Sequence, residues 1–160
     1  MYLMLPFCPP GNLAHPTITR HNDEEDSPAS LRLLLVEDEE ISRMSACMNL
    51  EKMGHQVVTA NNGEEALEAL RRSTYDCVLM DVQMDVLDGV EAARRIRDES
   101  FGVIDTQVPI VAMTAYAMTG DREKFLDAGM NDYVAKPVQL DELKKALRRV
   151  TENLGKPGTR

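Results

Sequence analysis

The sequence predicts an α/β fold, a doubly wound, five-stranded parallel sheet with helices on both faces. Apolar segments of strand length and amphipathic helical segments alternate five times after about residue 31. The first apolar segment, residues 31–36, is interrupted only by Arg32, as expected for a strand buried on both faces of a parallel sheet. Four of the apolar segments end abruptly in charged or hydroxyl side chains, at the strand ends where such sheets carry function.

The first two strands are predicted at residues 31–36 and 56–60, separated by a helix. In that helix Ile41, Met44 and Met48 recur at spacings of three and four, which predicts an amphipathic helix with an apolar side. Gly54 is the expected end of the helix.

The second and third helices follow the strands at 56–60 and 76–80, and a polar loop is expected at 99–107. The turn before the second helix is predicted at 61–63. The apolar stripes of these two helices are Ala66, Leu67 and Leu70, and Val90, Ala93 and Ile96.

The last two strands are predicted within residues 108–114 and at 132–135. Between them a short helix at 121–128 ends at Gly129. A final helix carries a regular apolar stripe, Leu140, Leu143, Leu147 and Val150.

The flanking segments differ from this pattern. Residues 1–30 hold five of the eight prolines and an acidic run at 23–26, which predicts a flexible linker or the remnant of a preceding domain, with a short strand at 2–5. We expect the domain to span 31–154 and residues 155–160 to form a frayed tail.

Composition excludes several classes of protein. A formal net charge of −9 argues against direct binding to nucleic acid, and no apolar run reaches the length of a membrane span. The three cysteines match no zinc pattern, and Cys47 and Cys77 are expected to be buried. A cytoplasmic location without membrane contact by this segment follows as an expectation.

The strand ends predict one site. Glu37 and Asp38 follow the first strand, Asp81 the third, Thr114 closes the fourth and Lys136 follows the fifth. Clustered carboxylates repel and need a cation, and oxygen ligands without His or Cys favour Mg²⁺, with Mn²⁺ as an alternative.

This set of groups suits phosphoryl transfer, in which positioning and charge neutralisation dominate. Mg²⁺ and Lys136 would neutralise the phosphoryl oxygens, Thr114 would bind one of them, and Asp81 would attack and become an acyl phosphate. By itself Asp81 could equally cap the helix that follows it.

Residues 31–154 resemble the receiver domain of two-component response regulators. The matching segments are 34–39, 79–84, 88–89, 112–115 and 128–137, each at the expected strand end and in the expected order. The resemblance implies a flavodoxin-like sheet of order 2-1-3-4-5.

The resemblance also implies roles for individual residues. Asp81 is the phosphoacceptor, and Glu37, Asp38, Asp81 and the backbone carbonyl of Gln83 hold Mg²⁺. Thr114 and Lys136 bind the phosphoryl group. Thr114 and Tyr133 form the switch, and the peptide bond between Lys136 and Pro137 is expected to be cis.

The implied partners are a histidine kinase or a histidine phosphotransfer domain, which would pass a phosphoryl group from phosphohistidine to Asp81 in a phosphorelay. The face formed by the fourth helix, fifth strand and last helix is a candidate homodimer interface. Such a domain catalyses its own phosphorylation and dephosphorylation, so a separate enzyme activity is left open.

Three residues near the predicted site need separate comment, because one departs from the common receiver pattern and two stand at positions that affect hydrolysis. Asp85 stands where many receivers have Pro, either as a solvated surface residue or as a charge that weakens docking of an anionic donor. Gln83 and Tyr116 occupy positions that tune hydrolysis of the acyl phosphate, and a bulky Tyr116 could shield the pocket from water.

Two contexts and two rival classes stay open. Residues 2–7 resemble the closing strand of histidine-kinase ATP-binding domains. This resemblance favours the receiver of a hybrid sensor histidine kinase over a free single-domain regulator. The parent chain of such a hybrid could be membrane-anchored. The first rival, a Mg²⁺-dependent aspartyl-phosphate phosphatase, would require a second Asp at the position of Gln83. The second, a flavin-binding module, would require a phosphate-binding loop after the first strand, but the acidic residues 37–40 there would repel phosphate.

Overall fold

The fold was analysed in a computed structural model that describes residues 30–116 and 120–152. Its sheet has five parallel strands in the order β2-β1-β3-β4-β5. The predicted fold class and strand order are therefore confirmed. The strand predicted at 2–5, the linker up to residue 29 and the tail at 155–160 lie outside the described residues.

Each strand is short, as expected for apolar segments that cross a small two-sided core. The strands are β1 (Arg32–Val36), β2 (Gln56–Ala60), β3 (Cys77–Asp81), β4 (Ile110–Thr114) and β5 (Asp132–Ala135). β3 and β4 are buried along their whole lengths, and Asp81 is the last residue of β3 rather than the first residue of a loop. The phosphoacceptor candidate is thus fixed by the sheet itself.

In the described residues four α-helices connect successive strands and a fifth follows β5, and together they cover both faces of the sheet. They are α1 (Glu40–Lys52), α2 (Gly63–Arg72), α3 (Gly89–Arg97), α4 (Asp121–Asp127) and α5 (Leu140–Thr151). The expected polar loop contains a 3₁₀ turn, Glu99–Phe101. Among the described residues no helix is long and apolar enough to cross a membrane.

Two apolar clusters form the core, one on each face of the sheet. The larger packs α2, α3 and α4 on one face, and the smaller packs α1 and α5 on the other. The stripes predicted for α2 and α3 are buried in the larger cluster. Cys47 and Cys77 lie in the smaller one, as expected.

Chain reversals occur where the sequence indicates them. Gly54 and Gly129 follow α1 and α4 with φ of +89° and +93°, a conformation that favours glycine. The side chains of Asn62 and Asp88 cap α2 and α3 by accepting a backbone N–H.

The predicted apolar side of α1 is wrong. Ile41, Met44 and Met48 are 77%, 57% and 54% exposed, whereas the helix packs on the sheet through Cys47 and Leu50. The spacing of the three residues was correctly helical, but the apolar residues of α1 occupy more than one side. Periodicity therefore predicted the helix and could not choose which side faces the core.

Candidate functional site

Three predicted site residues come from the face of the sheet that packs on α1 and α5. The residues two positions before them in β1, β3 and β5 all belong to the core on that face. Because side chains alternate along a strand with a period of two, Glu37, Asp81 and Lys136 continue those rows at the carboxyl edge. The sheet therefore brings together groups that are far apart in sequence.

Lys136 bridges the two buried carboxylates. Its Nζ lies 2.7 Å from Glu37 Oε2 and 3.1 Å from Asp81 Oδ1. Glu37 and Asp81 are each only 3% exposed, whereas a quarter of the Lys136 side chain reaches solvent. Because both carboxylates are buried, their attraction to the ammonium of Lys136 is stronger than that of a surface ion pair.

Backbone N–H groups orient the same carboxylates. The N–H of Glu39 donates to Glu37 Oε1 at 3.2 Å, and the N–H of Gln83 donates to Asp81 Oδ1 at 3.1 Å. Both donors belong to residues two positions further along the chain, so each loop turns back over its own strand end. The carboxylates are held in place before any ligand arrives.

The pKa values of Glu37 and Lys136 reflect this environment. Burial raises the pKa of Glu37, the hydrogen bond from Lys136 opposes the rise, and neighbouring Asp81 adds to it. Burial alone would lower the pKa of Lys136, but its hydrogen bonds to Glu37 and Asp81 outweigh burial and raise that pKa. The lysine therefore stays charged at neutral pH.

The site has the composition of a centre for a hard divalent cation. Glu37, Asp38 and Asp81 each offer an oxygen, and these oxygens lie within 4.8 Å of one another. Carboxylate oxygens without sulfur or imidazole suit Mg²⁺ or Mn²⁺. One lysine cannot neutralise three carboxylates, so the cluster keeps negative charge for a cation.

Gln83 lies next to this group through its backbone N–H, not through an observed contact of its carbonyl. Its predicted role as a carbonyl ligand therefore stays a prediction. The peptide bond between Lys136 and Pro137 is cis.

Thr114 and Tyr133 lie on the other face of the sheet from the carboxylates. Tyr133 pairs in register with Ala112, two residues before Thr114, so both side chains project toward the larger core cluster. The Thr114 hydroxyl is buried and accepts the Tyr116 N–H at 3.0 Å. The Tyr133 ring is half-buried, with its centroid 6.2 Å from that of Phe125. Their predicted switch role is compatible with this placement and is not tested by it.

Asp85 and Tyr116 are both exposed. Asp85 lines an open groove beside the site together with Asp88, Glu91, Arg94 and Lys124. Tyr116 is 61% exposed, so more than half of this side chain faces solvent in the conformation described. A solvated Asp85 agrees with this exposure, and shielding of the pocket by Tyr116 stays a hypothesis.

Sequence reasoning missed two residues that contact the site. Arg43 Nη1 donates to the carbonyl oxygens of Glu37, at 3.0 Å, and Asp38, at 3.4 Å. Gly89 entered the sequence analysis only within the matching segment 88–89, but a Cβ there would lie 2.2 Å from the carbonyl oxygen of Asp81. Nothing in the pattern of the sequence distinguishes Arg43 from other helix-surface arginines.

Comparison with known proteins gives the family. The family model described as the response regulator receiver domain matches residues 33–148. The chain belongs to this family. The structure and the match agree, because the matched residues contain β2 to β5, all of β1 except Arg32, and every described helix except the end of α5.

Curated relatives of this receiver domain include several histidine kinases. It is 34% identical to the probable histidine kinase 1 of Oryza sativa subsp. indica, over 84% of this chain and 17% of that protein. It is 35% identical to the sensor histidine kinase GacS of Pseudomonas protegens, over 88% of this chain and 15% of that protein. The chain thus spans less than a fifth of the length of these two relatives.

Solved structures include two informative receivers. The receiver domain of the sensor histidine kinase PA1611 from Pseudomonas aeruginosa, with a magnesium ion in its active-site cleft, is 41% identical with a TM-score of 0.68. That match covers 78% of this chain and 99% of that one. The receiver domain of Ssk1 from Saccharomyces cerevisiae, in complex with the phosphotransfer protein Ypd1, gives 32% identity and a TM-score of 0.72, over 81% and 94% of the chains.

The close approach of Gly89 to Asp81 generates a prediction. Gly89→Ala forces the first turn of α3 away from the carbonyl of Asp81, and overpacking of this kind costs about 1–3 kcal/mol of unfolding free energy. Gly120→Ala is the matched control, because nothing lies within 4 Å of a Cβ at that position. Urea unfolding should separate the two variants clearly. Equal unfolding midpoints would show that the contact is not tight in solution.

Proposed function

We propose that this receiver domain accepts a phosphoryl group on Asp81 from a phosphohistidine, in a reaction that depends on Mg²⁺, with Mn²⁺ as an alternative. The observation that carries the proposal is the contact of Lys136 with both buried carboxylates at the carboxyl edge of the sheet. A purely structural helix cap at Asp81 would need neither the lysine nor the second carboxylate. Asp88, not Asp81, caps α3.

The reaction at Asp81 is an in-line transfer. A carboxylate oxygen of Asp81 attacks phosphorus, the P–N bond to the histidine breaks, and its electron pair stays on the imidazole. Lys136 lies 3.1 Å from the attacking carboxylate and is placed to pair with phosphoryl oxygens as charge builds on them. The Thr114 hydroxyl, at the end of the neighbouring strand, is the second group that we assign to those oxygens.

Glu37, Asp38 and Asp81 are the side chains that would hold the cation, with the backbone carbonyl of Gln83. Bound there, Mg²⁺ supplies charge neutralisation between the carboxylate and the incoming phosphoryl group. The magnesium ion in the active-site cleft of the PA1611 receiver domain supports this assignment. In this chain the buried positions of Glu37 and Asp81 exclude bulk water from two of the three ligands.

The output is a change in partner binding. Thr114 shifts toward the phosphoryl group, and Tyr133, which shares its face of the sheet, follows. The face of α4, β5 and α5 then changes its affinity for a partner. A homodimer on that face remains a candidate.

The context that we propose is a hybrid sensor histidine kinase with its receiver domain in the cytoplasm. In this context we assign residues 31–154 to the receiver and residues 1–30 to a linker or the remnant of a preceding domain. Histidine kinases among its relatives, each far longer than this chain, support this context over a free single-domain regulator.

We propose that a protein donor docks on a surface beside the site. We define the α1 apolar surface as Ile41, Met44 and Met48, all more than half exposed. Ile41 also lines a groove of about 300 Å³ that reaches Glu37 and Lys136, so the surface continues into the acceptor site. Methionine side chains adapt to a partner's shape, which suits a surface that meets one partner transiently. The Ssk1 receiver in complex with Ypd1 supports a phosphotransfer protein as the class of occupant.

Phosphoryl acceptance is tested with a small donor. The protein incubated with Mg²⁺ and acetyl phosphate should gain the mass of one phosphoryl group, and Asp81→Asn should gain none, because the amide is not a nucleophile of this kind. Chelation of the metal should abolish the gain in the wild-type protein. An unmodified wild-type protein with an intact fold would contradict the proposal.

Docking is tested with two donors. Met44→Lys places a charge in the α1 apolar surface and should slow transfer from a phosphorylated histidine phosphotransfer protein by at least about tenfold, since burying an unpaired charge opposes association. Transfer from acetyl phosphate should be unchanged, because this donor needs no docking. Leu126→Lys, an exposed apolar residue on α4, is the control. Equal slowing by both substitutions would exclude the α1 apolar surface as the docking site.

A further inference from the structure

Arg43 contacts the backbone of Glu37 and Asp38, the first two of the three acidic residues that precede α1. A single nitrogen, Nη1, donates to the carbonyl oxygens of both Glu37 and Asp38. The contact is made to main-chain oxygens, so the guanidinium leaves the carboxylate oxygens free. This distinguishes Arg43 from Lys136, which occupies carboxylate oxygens directly.

Backbone N–H groups hold the loop on either side of Asp38: that of Glu37 donates to the Ala60 carbonyl oxygen, and that of Glu39 donates to Glu37 Oε1. Glu39, at the start of α1, makes no side-chain capping bond to the backbone and instead accepts from the Ser42 hydroxyl. Asp38 is the exposed member of the acidic group, and within the described part of the chain its carboxylate accepts no hydrogen bond. The position of the Asp38 carboxylate therefore depends on how its backbone is fixed.

Electrostatics adds a reason for such a contact. Residues 37–40 are four consecutive acidic residues, and their mutual repulsion favours an extended, splayed loop. Hydrogen bonds from a charged donor to two adjacent carbonyls oppose this, because they tie the loop to the second turn of α1. In this arrangement Asp38 offers a carboxylate oxygen within 4.8 Å of oxygens of Glu37 and Asp81.

We propose that Arg43 is a positioning residue for the divalent cation: by holding the carbonyls of Glu37 and Asp38, it keeps three carboxylates in one group before the cation binds. The proposal rests on the proposed function of that group. It assigns Arg43 no contact with the cation or with the phosphoryl group.

Positioning and charge predict opposite results, which makes the proposal testable. If Arg43 acted only as a nearby positive charge, its removal would strengthen binding of a cation. If it positions the loop, its removal weakens binding, because the cation must then order Asp38 itself. The measurement is the affinity for Mg²⁺ by titration calorimetry, and for Mn²⁺ by electron paramagnetic resonance, both without a phosphodonor.

Arg43→Met should weaken binding of both cations by about tenfold, the equivalent of one charge-assisted hydrogen bond. Arg43→Lys retains the charge but not the rigid planar donor, and should weaken binding by about threefold. Lys52→Met is the matched control, because it removes the same charge from the last turn of the same helix, about 13 Å further along the axis, and should leave affinity unchanged.

Unfolding in urea with chelator present verifies that each variant is folded. If Arg43→Met does not fold, the cation affinity of Arg43→Lys decides whether Arg43 positions the loop. Wild-type or tighter binding by the folded Arg43 variants overturns the proposal. If the wild-type protein binds Mg²⁺ and is phosphorylated while Arg43→Met binds equally well, the positioning role alone fails. If the wild-type protein binds no Mg²⁺, the proposed function fails with it.

Discussion

The contact of Lys136 with Glu37 and Asp81 is the interaction on which the rest of the site depends. Two buried carboxylates at the end of a sheet repel each other and are costly to desolvate, so they need a positive charge beside them. Lys136 supplies one charge, at 2.7 Å from Glu37 and 3.1 Å from Asp81. With Asp38 added, the cluster has three carboxylates and one ammonium, and in our proposal this excess of acidic groups attracts a divalent cation.

In our proposal the two faces of the sheet have different roles, one in the chemistry and the other in the response to it. The carboxylates and Lys136 lie on the face of α1 and α5, whereas Thr114 and Tyr133 lie on the opposite face. A phosphoryl group on Asp81 at the edge of the sheet is within reach of both faces. In our proposal Thr114 transmits phosphorylation of Asp81 from one face to the other, because it is the last residue of β4, a strand that is buried along its whole length.

Much of the fold and of the site could be predicted from the sequence, because both depend on strongly marked features. Continuous apolar strands imply a parallel sheet, and a parallel sheet brings its carboxyl strand ends to one edge. That reasoning was enough to group Asp81 with Lys136, 55 residues away in a chain of 160. The structure then supplied the pairing of the lysine with Glu37 as well as with Asp81.

Other features could not be predicted because they depend on three-dimensional orientation. The apolar residues of α1 lie on more than one side of the helix, and only packing shows that Cys47 and Leu50 face the sheet while Met44 faces solvent. Arg43 contacts backbone carbonyls, a kind of contact that leaves no pattern in the sequence. The requirement for glycine at position 89 likewise arises from the approach of α3 to the carbonyl of Asp81.

The central claim is that Lys136 and a divalent cation together neutralise one cluster of carboxylates, Glu37, Asp38 and Asp81. The most direct measurement is the calorimetric affinity of Lys136→Met for Mg²⁺, with Lys145→Met, an exposed lysine on α5, as the control. Removal of the ammonium frees oxygens of Glu37 and Asp81, so we expect Mg²⁺ to bind about tenfold more tightly to Lys136→Met, and equally tightly to the control. Unchanged or weaker binding by a folded Lys136→Met would contradict the account.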